Sequence, residues 1–168
     1  MEEGIIQPVW DGPLAIEDVL KLNGPTDKGL YQVYTYHPLY GDCLVYIGLT
    51  NTTFSKRIPE HNYEAGSDSD RRRVSYYVGR LVGFQTPDAG RWLDEIRQAE
   101  MLLIHSHGPA YNSTNIQAVA RPEGVANVRI LNWGNCRALQ REISGRMWSA
   151  PLDPGLLPYG SHAAKTSN

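Results

Sequence analysis

Cysteine is scarce in this chain: Cys43 and Cys136 are the only two, and they lie far apart. Such usage excludes a zinc knuckle built from cysteine pairs and gives no disulfide signature, so a reducing compartment is the simplest expectation. Long apolar runs are missing too, and none approaches the roughly 20 residues that a membrane span needs. The opening Met1-Glu2-Glu3-Gly4 has neither the basic nor the apolar region of a secretory signal. These absences predict a soluble, intracellular protein of the cytoplasm with no membrane partner. Excess positive charge is also lacking. Sixteen Lys and Arg against eighteen Asp and Glu leave a net charge of −2, so contact with phosphates has to come from a local basic patch. No internal repeat, zinc finger, helix-turn-helix signature or RNA-binding aromatic motif stands out. What remains is a chain of 168 residues, 41% hydrophobic and 20% charged, with ten tyrosines. That length suits one domain plus trimmings.

Apolar positions at Leu14, Ile16, Val19, Leu20 and Leu22, closed by Asn23-Gly24-Pro25, predict a short leading helix. Two runs rich in Tyr, Val, Ile and Leu follow, Gly29 to Tyr36 and Cys43 to Leu49, and they read as a hairpin with an ample loop. A helix is expected between Asn51 and Tyr63, with Ser55 as its N-cap so that Pro59 falls in its first turn or so. After a polar linker at Gly66 to Asp70, the alternation of Val74, Tyr76, Val78, Val82 and Phe84 predicts a third strand, with Arg80 the exception. Thr86-Pro87-Asp88 opens a long helix from Ala89 to His107, in which Trp92, Ile96, Ala99 and Leu103 recur at helical steps; Gly108-Pro109 ends it. Beyond Asn112 the signals thin to a strand over Val128–Trp133, a short helix over Cys136–Arg146, and a Pro-, Gly- and Ser-rich tail expected to be mobile.

Chemistry-bearing residues punctuate these elements. Tyr31 shares a strand side with Val33 and Thr35, and Tyr46 shares one with Leu44 and Gly48, so an antiparallel hairpin can bring the two phenols together. Taken singly they serve equally as packing residues. Gly48 fits either a close approach of backbone or ligand, or a plain strand end. Arg57 and His61, four apart, project from one helical face toward a common target such as a phosphate, or belong to a solvated face. Pro59 between them can kink the helix and separate them. Glu100 sits among Ile96, Leu103 and Ile104 on the edge of an apolar stripe, where a carboxylate needs an arginine or a hard cation. The densest basic region is Arg71, Arg72 and Arg73, with Arg80 close behind; it reads as a phosphate-tracking stripe or as solvated surface.

Taken in order, Gly29-Leu30-Tyr31, Val45-Tyr46-Ile47-Gly48, Arg57, His61, Glu100 and Pro109-Ala110-Tyr111-Asn112 resemble the ordered landmarks of the GIY-YIG endonucleases, over about half the chain. Each landmark alone is weak, and the specificity lies in their order and spacing. The resemblance implies an α/β fold with a small antiparallel sheet of about three strands flanked by helices, and a short C-terminal extension. The implied organisation is a lead-in over 1–28, a nuclease-like domain over 29–112, an extension over 113–150 and a flexible tail over 151–168. The implied activity is divalent-metal-dependent hydrolysis of DNA phosphodiester bonds, leaving a 5′-phosphate and a 3′-hydroxyl. By the same resemblance Tyr31 orients or deprotonates the attacking water with help from Tyr46 and His61, and Arg57 stabilises charge on the phosphate. Glu100 binds Mg²⁺ or Mn²⁺, and Asn112 holds the site together. Arg71, Arg72, Arg73 and Arg80 are the expected nucleic-acid contacts, double-stranded DNA the expected partner, and a homodimer is allowed. A free tyrosine titrates near ~10, so a phenolate base would need a nearby cation, and the division of base catalysis between phenol and metal stays open. The small accessory region suits a stand-alone enzyme of restriction or defence type. The competing reading is a nucleic-acid-binding module of the same fold without turnover.

Overall fold

A computed structural model describes residues 4–60, 74–84, 87–112 and 124–149. The first element is a strand that the sequence does not announce, β1 (Gly4–Leu14). Its two prolines and the internal Gly12 argue against a central strand, yet β1 has partners on both sides. The pairing explains how they are tolerated. On one side, Gly4 to Ile6 pair in parallel with β5 (Val128–Leu131), and Val9 and Trp10 pair in parallel with β6 (Trp133–Gly134). Pro8, which has no N–H to donate, falls in the gap between these two ladders. On the other side β1 runs antiparallel to β4 (Val74–Val82), and Gly12 and Pro13 fall where that register shifts, between Asp11 and Leu14.

The leading helix predicted over Leu14–Leu22 shortens to α1 (Ile16–Val19). The hairpin forms from β2 (Gly29–His37) and β3 (Gly41–Thr50). Its loop is tight rather than ample, because both strands run further than their apolar residues suggest. Gly41, at φ 72°, takes the left-handed conformation that closes a three-residue connection. Next comes α2 (Phe54–Glu60), followed by β4, which pairs with β2. The long helix α3 (Ala89–His107) has the predicted bounds. The Asp88 side chain accepts from the Arg91 N–H, and left-handed Gly108 caps the other end. The short helix predicted over Cys136–Arg146 is replaced by turns, β7 (Glu142–Ser144) and the four-residue α4 (Arg146–Ser149). The tail at 151–168 lies outside the described residues.

Among the described residues the sheet has seven strands in the order β3-β2-β4-β1-β5-β7, with β6 beside β1. This corrects the predicted fold class. A mixed sheet curled into a half-barrel, with few helices, stands where a sheet of about three antiparallel strands flanked by helices was expected. The three expected strands are β3, β2 and β4, and they form one end of the larger sheet.

Helix α3 touches β2, β3 and β7. Ile96, Ala99, Leu102, Leu103 and Ile104 from the helix join Leu30, Tyr34, Ile47, Tyr77, Ile130 and Ile143 in one core. A second core holds Val19 of α1, Phe54 and Ile58 of α2, and Tyr31, Val33, Val45, Tyr76 and Val78 of the strands. Side chains alternate between the cores along each strand, as the twofold strand period requires: Leu30 and Tyr34 go to the first, Tyr31 and Val33 to the second. The central strands are therefore covered on both sides and read as unbroken apolar runs.

Polar contacts fasten the C-terminal strands to this frame. The buried indole N–H of Trp10 donates to Asn132 Oδ1 at 2.8 Å, and Asn132 Nδ2 donates to the Gln140 carbonyl at 2.7 Å. The backbone N–H of Gln140 donates to His107 Nε2 at 3.0 Å, so the other ring nitrogen carries the proton and donates to the Leu103 carbonyl at 2.9 Å. Asn132→Ala leaves the Trp10 donor buried without its partner. The expected cost is about 1–3 kcal/mol, seen as a lower urea midpoint at unchanged slope. An unchanged midpoint would show that the amide is dispensable.

Candidate functional site

The outer edge of β3 is where the candidate residues gather. An edge strand exposes backbone donors and acceptors that have to be satisfied or shielded. Among the described residues no further strand covers them. The Tyr111 N–H donates to the Val45 carbonyl at 2.8 Å. The Asn112 side chain then meets Ile47 on both sides, with Oδ1 accepting its N–H at 2.8 Å and Nδ2 donating to its carbonyl at 2.7 Å. Two residues on, the Leu49 N–H donates to the carboxylate of Glu100. Asn112 is nearly buried, and it fixes the end of α3 and the following turn against the strand that carries Tyr46.

Gly48 lies between Ile47 and Leu49 and opposite Tyr31. A Cβ there would stand 2.6 Å from Tyr31 Cζ, 2.6 Å from Tyr46 Cε1 and 2.7 Å from the Tyr31 hydroxyl. Of the two readings open in the sequence, close approach is the one realised: both phenols cross the face of this glycine. The two rings are 5.9 Å apart between centroids and tilted by 30°. Tyr31 is fully buried, and Tyr46 keeps partial exposure. Tyr46 is thus the phenol of the pair that a solvent-borne group can reach.

Arg57 comes from α2, whose N-cap position is Thr53 rather than the predicted Ser55. The Lys56 and Arg57 N–H groups both donate to the Thr53 carbonyl, at 3.2 and 3.0 Å. Pro59 therefore lies inside the helix and deprives the Ser55 carbonyl of a helical partner. Phe54 and Ile58, four apart and fully buried, hold the helix down and leave Arg57 between them at the rim. Its guanidinium donates to Glu60 at 3.3 Å, with both side chains partly exposed. Partial burial works against its charge, but the Glu60 hydrogen bond and the neighbouring phenols of Tyr31 and Tyr46 outweigh it and hold its pKa above the ordinary value. Glu60 itself was findable, since three positions after an arginine on a helix is ion-pair spacing.

Glu100 is partly buried, and burial pushes its carboxyl up to about 7, against the opposing pull of the Leu49 N–H and the positive charge of Arg57. The Arg57 guanidinium is thus the charge that connects the phenols on one face of the sheet with the carboxylate at its edge. Tyr31, Tyr46, Arg57, Glu100 and Asn112 come together around the last turn of β3. His61 and the stripe Arg71, Arg72 and Arg73 lie outside the described residues. Arg80 is not part of this group. It is bound by Asp27 at 2.6 Å and lies over the Phe54 ring, inside the scaffold of α2. Asp27 escaped detection because no local motif distinguishes it.

Comparison with known protein families, with curated proteins and with solved structures finds no match. The chemistry of this cluster therefore rests on its own geometry. Among the described residues no three His, Cys, Asp or Glu side chains gather as a ready-made metal cage. Glu100 is the carboxylate of the cluster that could hold a hard cation. Its desolvation is only partly compensated by one N–H and a nearby guanidinium, and Mg²⁺ commonly keeps several waters and takes one or two carboxylates.

The raised Glu100 pKa sets a pH dependence. Its folded value of about 7 exceeds the ordinary 4.5, so the folded state holds a proton that the unfolded chain releases between those values. The resulting stabilisation is complete below about 4.5 and is lost as pH rises through 7. Thermal unfolding without divalent metal should therefore show a falling Tm across that window, and Glu100→Gln should flatten the fall. Equal pH profiles for the two proteins would contradict it.

Proposed function

We propose that the chain is a divalent-metal-dependent endonuclease that hydrolyses DNA phosphodiester bonds, of the kind found in the GIY-YIG endonucleases, whose landmarks its sequence resembles. The observation that carries the reading is the meeting of two phenols, a guanidinium and an under-compensated carboxylate around Gly48 and Leu49, drawn from four separate elements. A packing role for each residue alone does not account for that convergence. Nor does a structural ion pair, because Arg57 pairs with exposed Glu60 while Glu100 stays short of compensating charge.

In this reading the nucleic acid lies along the outer edge of β3. The scissile phosphate replaces Glu60 at Arg57. An exposed pair of that kind is worth about 0–1 kcal/mol, so exchanging one anion for another is easy. The guanidinium offers planar, permanently charged donors, suited to a pentacovalent phosphorus that carries extra negative charge. Tyr46, the accessible phenol, orients the attacking water, and Tyr31 behind it fixes its ring against Gly48. Glu100 would hold Mg²⁺ or Mn²⁺, which when bound supplies Lewis acidity toward a phosphoryl oxygen. Water attacks phosphorus in line with the departing 3′ oxygen. The P–O3′ bond breaks, and the products are a 5′-phosphate and a 3′-hydroxyl.

Incubation of the purified chain with supercoiled plasmid and Mg²⁺ or Mn²⁺ tests this. Nicking or linearisation is expected for the wild type, with Arg57→Ala and Glu100→Ala each slower by roughly a hundredfold or more. Equal cutting by all three proteins, or none with either metal, would remove the assignment.

A further inference from the structure

Arg80 is engaged by Asp27 and by the Phe54 ring. Its Nη2 and Nε donate to Asp27 Oδ1 at 2.6 and 3.3 Å, and its guanidinium carbon lies 5.6 Å from the centre of the Phe54 ring. The side chains of the pair are only 28% and 18% exposed, well below the usual exposure of a surface ion pair. Arg80 keeps the Asp27 carboxyl below its ordinary pKa range even though burial pushes the other way.

The rest of Asp27 is equally committed. Its Oδ2 accepts the Gly24 N–H at 2.9 Å and its own N–H donates to the Gly24 carbonyl at 3.1 Å, closing the turn between them. The Asp27 carbonyl then accepts the Phe54 N–H at 2.8 Å, and the Leu22 carbonyl accepts the Ser55 N–H at 3.1 Å. The first two N–H groups of α2, which have no partner within the helix, are thus taken up by the backbone of a loop. A seven-residue helix interrupted by Pro59 has little stability of its own, so where it sits is decided by what holds its start. Arg57 follows one turn later.

We propose that Asp27 and Arg80 are positioning residues: their ion pair locks the 22–27 loop, the loop carries the start of α2, and α2 thereby holds the Arg57 guanidinium beside Tyr31 and Tyr46. The proposal rests on Arg57 being the phosphate-binding group. It also moves Arg80 from the nucleic-acid surface to the scaffold. The two roles leave different signatures, because loss of a phosphate ligand lowers the salt dependence of binding and leaves Arg57 in place, whereas loss of a positioning residue moves Arg57 itself.

The test uses the full chain as Asp27→Asn, Arg80→Lys, Arg80→Gln and the exchange Asp27→Arg with Arg80→Asp. Three quantities are read: single-turnover plasmid cleavage at saturating protein, the salt dependence of binding to a DNA duplex, and the Arg57 Nε–Hε resonance, assigned by its loss in Arg57→Lys. The expected result for Asp27→Asn and Arg80→Gln is a cleavage rate about tenfold lower, with the Arg57 resonance shifted or broadened. Arg80→Lys, which keeps the charge and loses the forked geometry, should fall between, and it carries the test if Asp27→Asn does not fold. The exchange should recover part of both rate and resonance. A salt slope reduced by about one in Arg80→Gln, with the Arg57 resonance unmoved and no recovery in the exchange, would make Arg80 a phosphate ligand and overturn the proposal. Lower stability with an unmoved Arg57 resonance would overturn it as well. An uncleaved plasmid with a resonance that still responds would refute the nuclease reading and leave the positioning role standing.

Discussion

Everything in the candidate site depends on how the outer edge of β3 is satisfied. Unpaired backbone groups buried without partners cost on the order of 1–3 kcal/mol each, and an exposed edge invites pairing with another chain. This protein answers with α3 and the turn that follows it: the Tyr111 backbone for Val45, the Asn112 amide for Ile47, the Glu100 carboxylate for Leu49. The first two are neutral groups performing a neutral task. The third is a carboxylate where an amide would serve the backbone as well, placed where burial opposes its charge. A stability requirement alone does not select it. The edge therefore does two things at once: it completes the ladder, and it sets a carboxylate next to the strand that carries Tyr46.

The electrostatics have the same asymmetry. Arg57 and Glu100 feel each other's charge, and a direct pair between them would compensate both. Arg57 makes its ion pair with Glu60 instead, on the exposed side of α2. The acid end of the cluster is left with too little positive charge, and the basic end is held by a weak, exchangeable anion. Two external charges of opposite sign would complete such an arrangement, a cation at Glu100 and an anion at Arg57. A metal ion and a phosphate are the pair proposed.

Much of this was legible in the sequence wherever the signal is local. Helix α3 follows from Asp88, a regular apolar stripe and Gly108, all of which act within one turn of the residue concerned. The hairpin follows from β-rich runs, and the approach of Tyr31 and Tyr46 from the antiparallel pairing of those runs. The failures are non-local. Strand β1 hides because its prolines and glycine are tolerated only at a change of partner and at a register shift, and both are made by distant segments. Strand β7 is three residues long, too short for any period to declare itself, and Cys136 to Arg146 mimics a helix by composition alone. Asp27 was invisible for a different reason. Half of its function runs through its carbonyl, which every residue possesses. Arg80 was visible but its pairing was not, since a basic residue on a strand gives no sign of whether an acid waits beside it.

The strands beyond β4 help to seat the helix that lies on the sheet. The buried residues of α3 run from Ile96 to Ile104, and the helix reaches β3 at one end of the strand order and β7 at the other. β1, β5 and β7 extend the core that these residues join through Ile6, Trp10, Val128, Ile130 and Ile143. These added strands contribute none of the candidate site residues, yet they seat the helix from which Glu100 reaches the edge of β3. The carboxylate at the edge of β3 is thus positioned in part by strands at the other end of the sheet, which the landmark residues do not include.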